Sequence, residues 1–473
     1  MVFSSQIFIF YFLPLSLLLY YAAPRLGRHL VLTLVSYVFY GWWNPWFTLL
    51  MLGSTTLDYF CGKWITLPGS TQDQRRTALI LSIAANLSIL AFFKYSGFAV
   101  GAAGDVAQGL GFAPPSAPEW VRRVVLPVGV SFYTFQSMSY CIDLYRGHAR
   151  PAASFIDFAC YVSMYPQLVA GPIVRYRSIA EQLRYREHTP AGFVMGISRF
   201  CFGFAKKIFL ANPMGPIADA CFGAGDGILV PGAAWLGAAA FAFQIYFDFS
   251  AYSDMAIGLG RMFGFHFIEN FNAPYRSSSF SEFWRRWHIS LSTWLRDYLY
   301  IPLGGNRKGP GRTYVNLLTV MVLGGLWHGA QWTFVIWGAI HGLMLSFERV
   351  LGRQSLFARL PAPIRVGLTF AILLVTWVFF RAENMEVATR YVAAMFGRGG
   401  EAATQSLLLA EITTPYALFS LALCGGVAWL APTTHRLLEK LSWWKVTLGL
   451  FLFILSLGEM SRQGFNPFLY FQF

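Results

Sequence analysis

The chain has 473 residues, 56% of them hydrophobic, 18% aromatic and only 12% charged. Soluble domains run near a quarter charged, so this composition excludes a soluble globular protein and describes an integral membrane protein. The net charge of +14 is better assigned to membrane orientation than to nucleic-acid binding, because Lys and Arg accumulate in cytoplasmic loops.

The chain begins apolar at Val2, without a basic n-region or a small-residue cleavage site. It reads as a first transmembrane helix rather than a removed signal peptide. Apolar runs then fall at 6–22, 30–43, 47–62, 78–97, 124–144, 152–170, 190–211, 232–259, 313–347, 366–381, 414–431 and 446–460. Most are near the ~20 residues that a bilayer crossing needs, and no soluble domain fits between them. They predict one all-α polytopic membrane domain over 1–473, with about 10–12 transmembrane helices. The six cysteines are scattered without metal-ligand spacing, mostly inside apolar runs. They read as small buried hydrophobes, with neither a disulfide nor a metal site expected.

Basic residues recur in alternate loops, at Arg25 and Arg28, Lys63 to Arg76, Arg146 and Arg150, Arg175 to Arg186, 261–312, Arg349 to Arg365, and Arg436 to Lys445. The 41–46 and 211–231 loops hold no Lys or Arg. The positive-inside rule makes the basic set cytoplasmic and puts both termini outside. Under this scheme 152–170 and 313–347 have basic flanks at both ends, which predicts re-entrant or hairpin segments. The 313–347 run would be about 52 Å long as one helix, short for two full crossings of a ~30 Å core. Two shortened helices meeting near Trp327–Trp332 would put His328 at the apex.

His328 lies in Gly324-Gly325-Leu326-Trp327-His328-Gly329-Ala330-Gln331-Trp332, and between Arg312 and Glu348 there is no Lys, Arg, Asp or Glu. An imidazole at membrane depth either serves interhelical packing or does chemistry. The 261–312 segment carries eight cations against three acids and is dense in aromatics. Phe283, Trp287 and Trp294 recur at helical spacing, as in an amphipathic helix lying in the interface. The segment is either a surface anchor or a cationic mouth for an anionic donor, with Arg285, Arg286, Trp287 and Arg296 as its candidate residues. Asp248 and Asp254 are membrane-depth carboxylates, expected to pair with cations more often than to face His328. His341, thirteen residues beyond His328, points well away from it on a continuous helix and reads as a packing histidine.

These motifs together carry a resemblance. Trp284-Arg285-Arg286-Trp287-His288-Ile289-Ser290-Leu291-Ser292 precedes Gly325-Leu326-Trp327-His328-Gly329 by forty residues, histidine to histidine. Further matching stretches are Leu126–Gln136, Pro166–Tyr176, Asp248–Asp254 and the closing Tyr470–Phe473. Over essentially its whole length the chain resembles the membrane-bound O-acyltransferase superfamily. Within it, the similarity is to the bacterial branch that acetylates exported polysaccharides such as alginate and cellulose.

The resemblance implies a bundle of helices around a thin centre with a tunnel, His328 as the catalytic histidine and His288 as the second characteristic one. It implies acetyl-CoA as donor and no bound cofactor. The acceptor would be an exported polysaccharide, alginate or cellulose first and peptidoglycan next. Expected partners are a periplasmic acetyltransferase, the polysaccharide synthesis and export complex and membrane lipids, with the protein in the bacterial inner membrane. His328 would take the proton of the acceptor hydroxyl. A backbone N–H, Gln331 or a Trp indole N–H would steady the oxyanion. His288, expected near the cytoplasmic surface, would bind or orient the donor or hold the hairpin. A transporter without bond chemistry and a scaffold for an envelope enzyme are the alternatives from other classes.

Overall fold

The computed structural model describes residues 1–113, 118–169, 171–225, 229–352, 356–398, 405–462 and Leu469, and every regular element among them is a helix. Tyr470–Phe473 and Ala170 lie outside the described residues. Among the described residues, four helices are long and apolar enough to cross a membrane: Gln72–Gly109, Trp332–Leu351, Ala362–Arg381 and Trp443–Arg462. The all-helical outcome follows from the solvent. With no water to satisfy backbone N–H and C=O groups in hydrocarbon, each segment must pair them internally.

The chain divides into two compact units, one of Met1–Gly196 with Ala256–Ile268, the other of Ile197–Met255 with Glu269–Phe473. In the first unit, polar side chains tie apolar helices together. Asp58, fully buried on the Pro45–Thr66 helix, accepts from Ser82 Oγ at 2.6 Å and from Asn86 Nδ2 at 2.8 Å. Ser137 of the Val130–Tyr145 helix donates to the same carboxylate. Gly129 starts that helix with φ 77°, and a Cβ there would lie 2.8 Å from the Leu168 carbonyl oxygen. Glycine is therefore required twice over, for its conformation and for the close approach. Tyr161 then donates to the carbonyls of Gln136 at 3.0 Å and Val174 at 2.9 Å, joining two of the motif stretches. The 152–170 run forms two short helices, Phe155–Ser163 and Tyr165–Leu168. Nine residues rise only about 14 Å, too little to cross a bilayer.

In the second unit, the Gly309–His328 and Trp332–Leu351 helices form a hairpin joined by three residues. The two shortened helices expected from the apolar run become full ones of 20 residues each, about 30 Å long. The helices extend through the polar ends of the run, as far as Gly309 and Leu351, where hydropathy stops but backbone hydrogen bonding does not. Glycines set how closely they pack. A Cβ on Gly325 would lie 2.2 Å from the Phe334 carbonyl oxygen, and one on Gly338 would lie 2.3 Å from that of Met321. The two backbones are thus in direct contact, in the manner of small-residue membrane interfaces.

Ion pairs fix the remaining buried charges of this unit. Lys207 Nζ lies 2.6 Å from Asp248 Oδ1, with side chains only 4% and 3% exposed. Asp254 pairs with Arg199 and Lys206, both at 2.8 Å, and Arg199 also binds Glu269. Both membrane-depth carboxylates therefore face cations rather than His328. The six cysteines are all buried thiols, as their apolar surroundings implied.

Candidate active site

His328 is the last residue of its helix, at the tip of the hairpin, and is 5% exposed. Its ring packs edge-on against Trp337 at 5.4 Å, Phe380 at 5.2 Å and Trp327 at 5.1 Å. Another neighbour is the ring of His288, 6.1 Å away centroid to centroid. The two histidines, forty residues apart in the chain, are thus brought side by side, edge to face, inside one unit.

His288 reaches this place through an unusual turn. The helix Phe280–Arg286 is capped by Ser279, whose hydroxyl accepts from the Glu282 N–H, and it ends as Trp287 turns extended. His288 follows in the left-handed region, φ 43° and ψ 52°, before the helix Ile289–Leu295 begins. A non-glycine residue there stores strain of about 1 kcal/mol or more and persists only when its surroundings hold it. What holds it is the neighbouring 270–272 segment: Asn272 N–H donates to the Arg286 carbonyl at 2.9 Å and Ile289 N–H to the Asn270 carbonyl at 3.0 Å. The Asn270 side chain adds a third tie, its Oδ1 lying 3.3 Å from His288 Nδ1.

His288 is fully buried within the protein. Each flanking helix has only 7 residues and does not cross a bilayer. Burial pulls the imidazole pKa down to about 3, so the ring is neutral at any working pH. Its Nε2 has no hydrogen-bond partner among the described residues.

The expected interfacial helix is corrected. Phe283, Trp287 and Trp294 are buried, and Trp287 lies 5.0 Å from the Trp377 ring and 5.6 Å from that of Phe283. The break at His288 interrupts the helical register, and the aromatic side packs into the core instead of lying on a membrane surface. Of the four candidate mouth residues, Trp287 is therefore a core residue, and Arg285 and Arg296 are exposed. Arg296 pairs with Asp297 at 2.7 Å.

Arg286 lies at a pocket. It bonds Glu282 at 2.7 Å and, with Arg276, Arg436, Asn272 and Thr433, lines a space of about 430 Å³. Thr433 also borders a smaller cavity of about 30 Å³ that reaches Asn270. A cationic opening thus stands next to the segment that holds His288.

Three residues of this neighbourhood escaped sequence reasoning. Asn270 gave no signal, since its role depends on a contact across 18 residues. Trp337 reads as helix core; its Nε1 is buried with no partner among the described residues. Phe249 meets the His288 ring at 4.7 Å from within the Asp248–Asp254 stretch. Gln331, suggested as an oxyanion donor, is exposed. His341 is buried, accepts from Trp284 Nε1 at 3.2 Å and meets Thr376 at 3.2 Å, a packing role.

These features define a helical membrane protein with a buried pair of imidazoles. Residues 146–383, which contain both histidines, match the family model of the membrane-bound O-acyltransferases, and the chain belongs to that family as an O-acyltransferase. It is 44% identical to the probable alginate O-acetylase AlgI of Azotobacter vinelandii, over 100% of both chains. It is 48% identical to that of Pseudomonas aeruginosa over 84% of this chain and 75% of the relative. A peptidoglycan O-acetyltransferase of Helicobacter pylori is 36% identical over 85% of this chain and 80% of its own.

Proposed function

We propose that this O-acyltransferase takes an acetyl group from acetyl-CoA on the cytoplasmic side and passes it across the membrane for O-acetylation of an exported polysaccharide. The observation that carries this reading is the buried pair His288 and His328 at the tip of the glycine-packed hairpin. Similarity to alginate O-acetylases favours alginate, with cellulose as a related acceptor. A periplasmic acetyltransferase partner, working with the polysaccharide synthesis and export complex, completes the transfer. The loop charges favour an inner-membrane orientation with both termini periplasmic. Similarity to a peptidoglycan O-acetyltransferase supports a second reading, in which another envelope glycan is the acceptor.

In the proposed reaction the donor's phosphates rest in the pocket of Arg276, Arg286 and Arg436, which supplies the positive field such a ligand needs. His328 accepts the proton of the acceptor hydroxyl as that oxygen bonds to the acetyl carbonyl carbon. The carbon–sulfur bond then breaks and the thiolate takes the proton from the imidazolium. The Trp337 indole N–H is the donor proposed for the oxyanion.

The test uses purified protein in detergent with labelled acetyl-CoA and an acceptor hydroxyl. Loss of thioester cleavage and label transfer in His328→Ala, with folding intact, supports the reading. Unchanged cleavage in that variant sinks the assignment.

A further inference from the structure

Asn270 makes contacts that determine more than its own place. Its Oδ1 accepts from the Ser290 backbone N–H at 3.1 Å and from the Ser290 hydroxyl at 2.9 Å. A backbone N–H can only donate, so the carboxamide must present its oxygen, not its nitrogen, to this corner. The amide's other side borders the ~30 Å³ cavity that Asp254 and Glu269 also line, and its Nδ2 has no hydrogen-bond partner among the described residues.

The same oxygen lies 3.3 Å from His288 Nδ1. The second group near Nδ1 is the Ser290 hydroxyl, at 3.4 Å, which lies closer to Asn270 Oδ1, at 2.9 Å, an oxygen that can only accept its hydrogen. Nδ1 therefore faces two oxygens that offer lone pairs and no hydrogen. A bare Nδ1 would set its lone pair against two oxygens in a buried corner, whereas a protonated Nδ1 can donate to the free lone pairs of the Ser290 oxygen.

We infer that Asn270 is a positioning residue that holds His288 as the Nδ1–H tautomer, so that the resting imidazole presents its lone pair at Nε2. His288 then enters the reaction as a hydrogen-bond acceptor and not as the oxyanion donor. The inference rests on the proposed role of the two-histidine site. It is comparable to a second group fixing the tautomer of a catalytic imidazole, where loss of the correct tautomer cripples turnover without disturbing binding.

Histidine-¹⁵N spectra of the full-length protein in detergent test the tautomer directly, with the His288 signals assigned by their loss in His288→Gln. A protonated Nδ1 beside a bare Nε2 is expected, and the reverse overturns the inference. In acetyl-transfer kinetics Asn270→Leu lowers kcat on the order of 10²-fold with the donor KM within about twofold. Asn270→Asp, which restores an acceptor opposite Nδ1, recovers most of that loss. Equal damage in both variants overturns the positioning role. Full activity in His288→Gln sinks the proposed part of His288 in the reaction instead, and the spectrum still decides the tautomer.

Discussion

The His288 and His328 rings meet at 6.1 Å with their planes 63° apart, the one on a strained turn and the other at a helix end. Both positions are fixed by backbone, so the pair is held without help from a ligand. Groups that act as a unit show strongly non-additive losses. His328→Ala is expected to lower acetyl transfer at least about 10³-fold, and the double variant with His288→Gln to lose little more than that. Single-turnover transfer rates of the three variants check this, and fully additive losses would mean two independent roles.

The donor pocket makes a separate prediction. Arg436 is exposed and shares the pocket with Arg276 and Arg286. If it serves only to attract phosphates, Arg436→Gln raises the donor KM about five- to tenfold and leaves kcat unchanged. Raising the salt concentration should shrink the difference between native and variant proteins, because exposed charges are screened within about 10 Å at 0.1 M salt.

Stability should fall with pH in a way that identifies His288. In the unfolded chain its imidazole takes a proton near the ordinary value of 6.5, whereas in the fold it stays neutral down to about 3. The unfolded state therefore binds more protons across that window, and acid favours unfolding. His188, lowered to about 4 by burial and then by Arg186 and Arg28, acts in the same direction. Thermal unfolding followed from about pH 7 to pH 4.5 should show a falling Tm, with a shallower slope in His288→Gln. An unchanged slope would contradict the buried neutral state.

The hairpin offers a packing test. Any Cβ at Gly338 would penetrate the Met321 carbonyl at 2.3 Å, and backbone cannot move aside as a side chain can. Gly338→Val is expected to destabilise by roughly 1–3 kcal/mol or more, read as a lower Tm and as lost activity through displacement of His328. Gly367→Ala, on a helix where an added Cβ meets nothing within 4 Å, serves as the neutral control.

The Lys207–Asp248 pair predicts a steeper loss. Asp248 Oδ2 also accepts from the Leu469 N–H at 2.8 Å, so the carboxylate is anchored on two sides. Lys207→Met leaves that charge buried without its cation, a change worth about 3–5 kcal/mol. A Tm within error of the native protein would show that the carboxylate is neutral in the fold.

The sequence by itself determined the class of protein and the helical content, and it singled out the two histidines as candidates. Apolar runs near the thickness of a bilayer admit few structures other than helices, and Trp-Arg-Arg-Trp-His and Gly-Leu-Trp-His-Gly are specific enough to carry a family. The hairpin was legible for the same reason, because charges flank the 313–347 run at both ends. Only the tertiary structure decided that His288 is buried opposite His328, that Trp287 belongs to the core and that Asn270 lies against the imidazole. Helical periodicity assumes one unbroken helix through Trp294, and a single residue at φ 43° breaks that assumption. Contacts such as Asn270 with His288 depend on how segments meet in space, and no local pattern in the chain encodes that meeting.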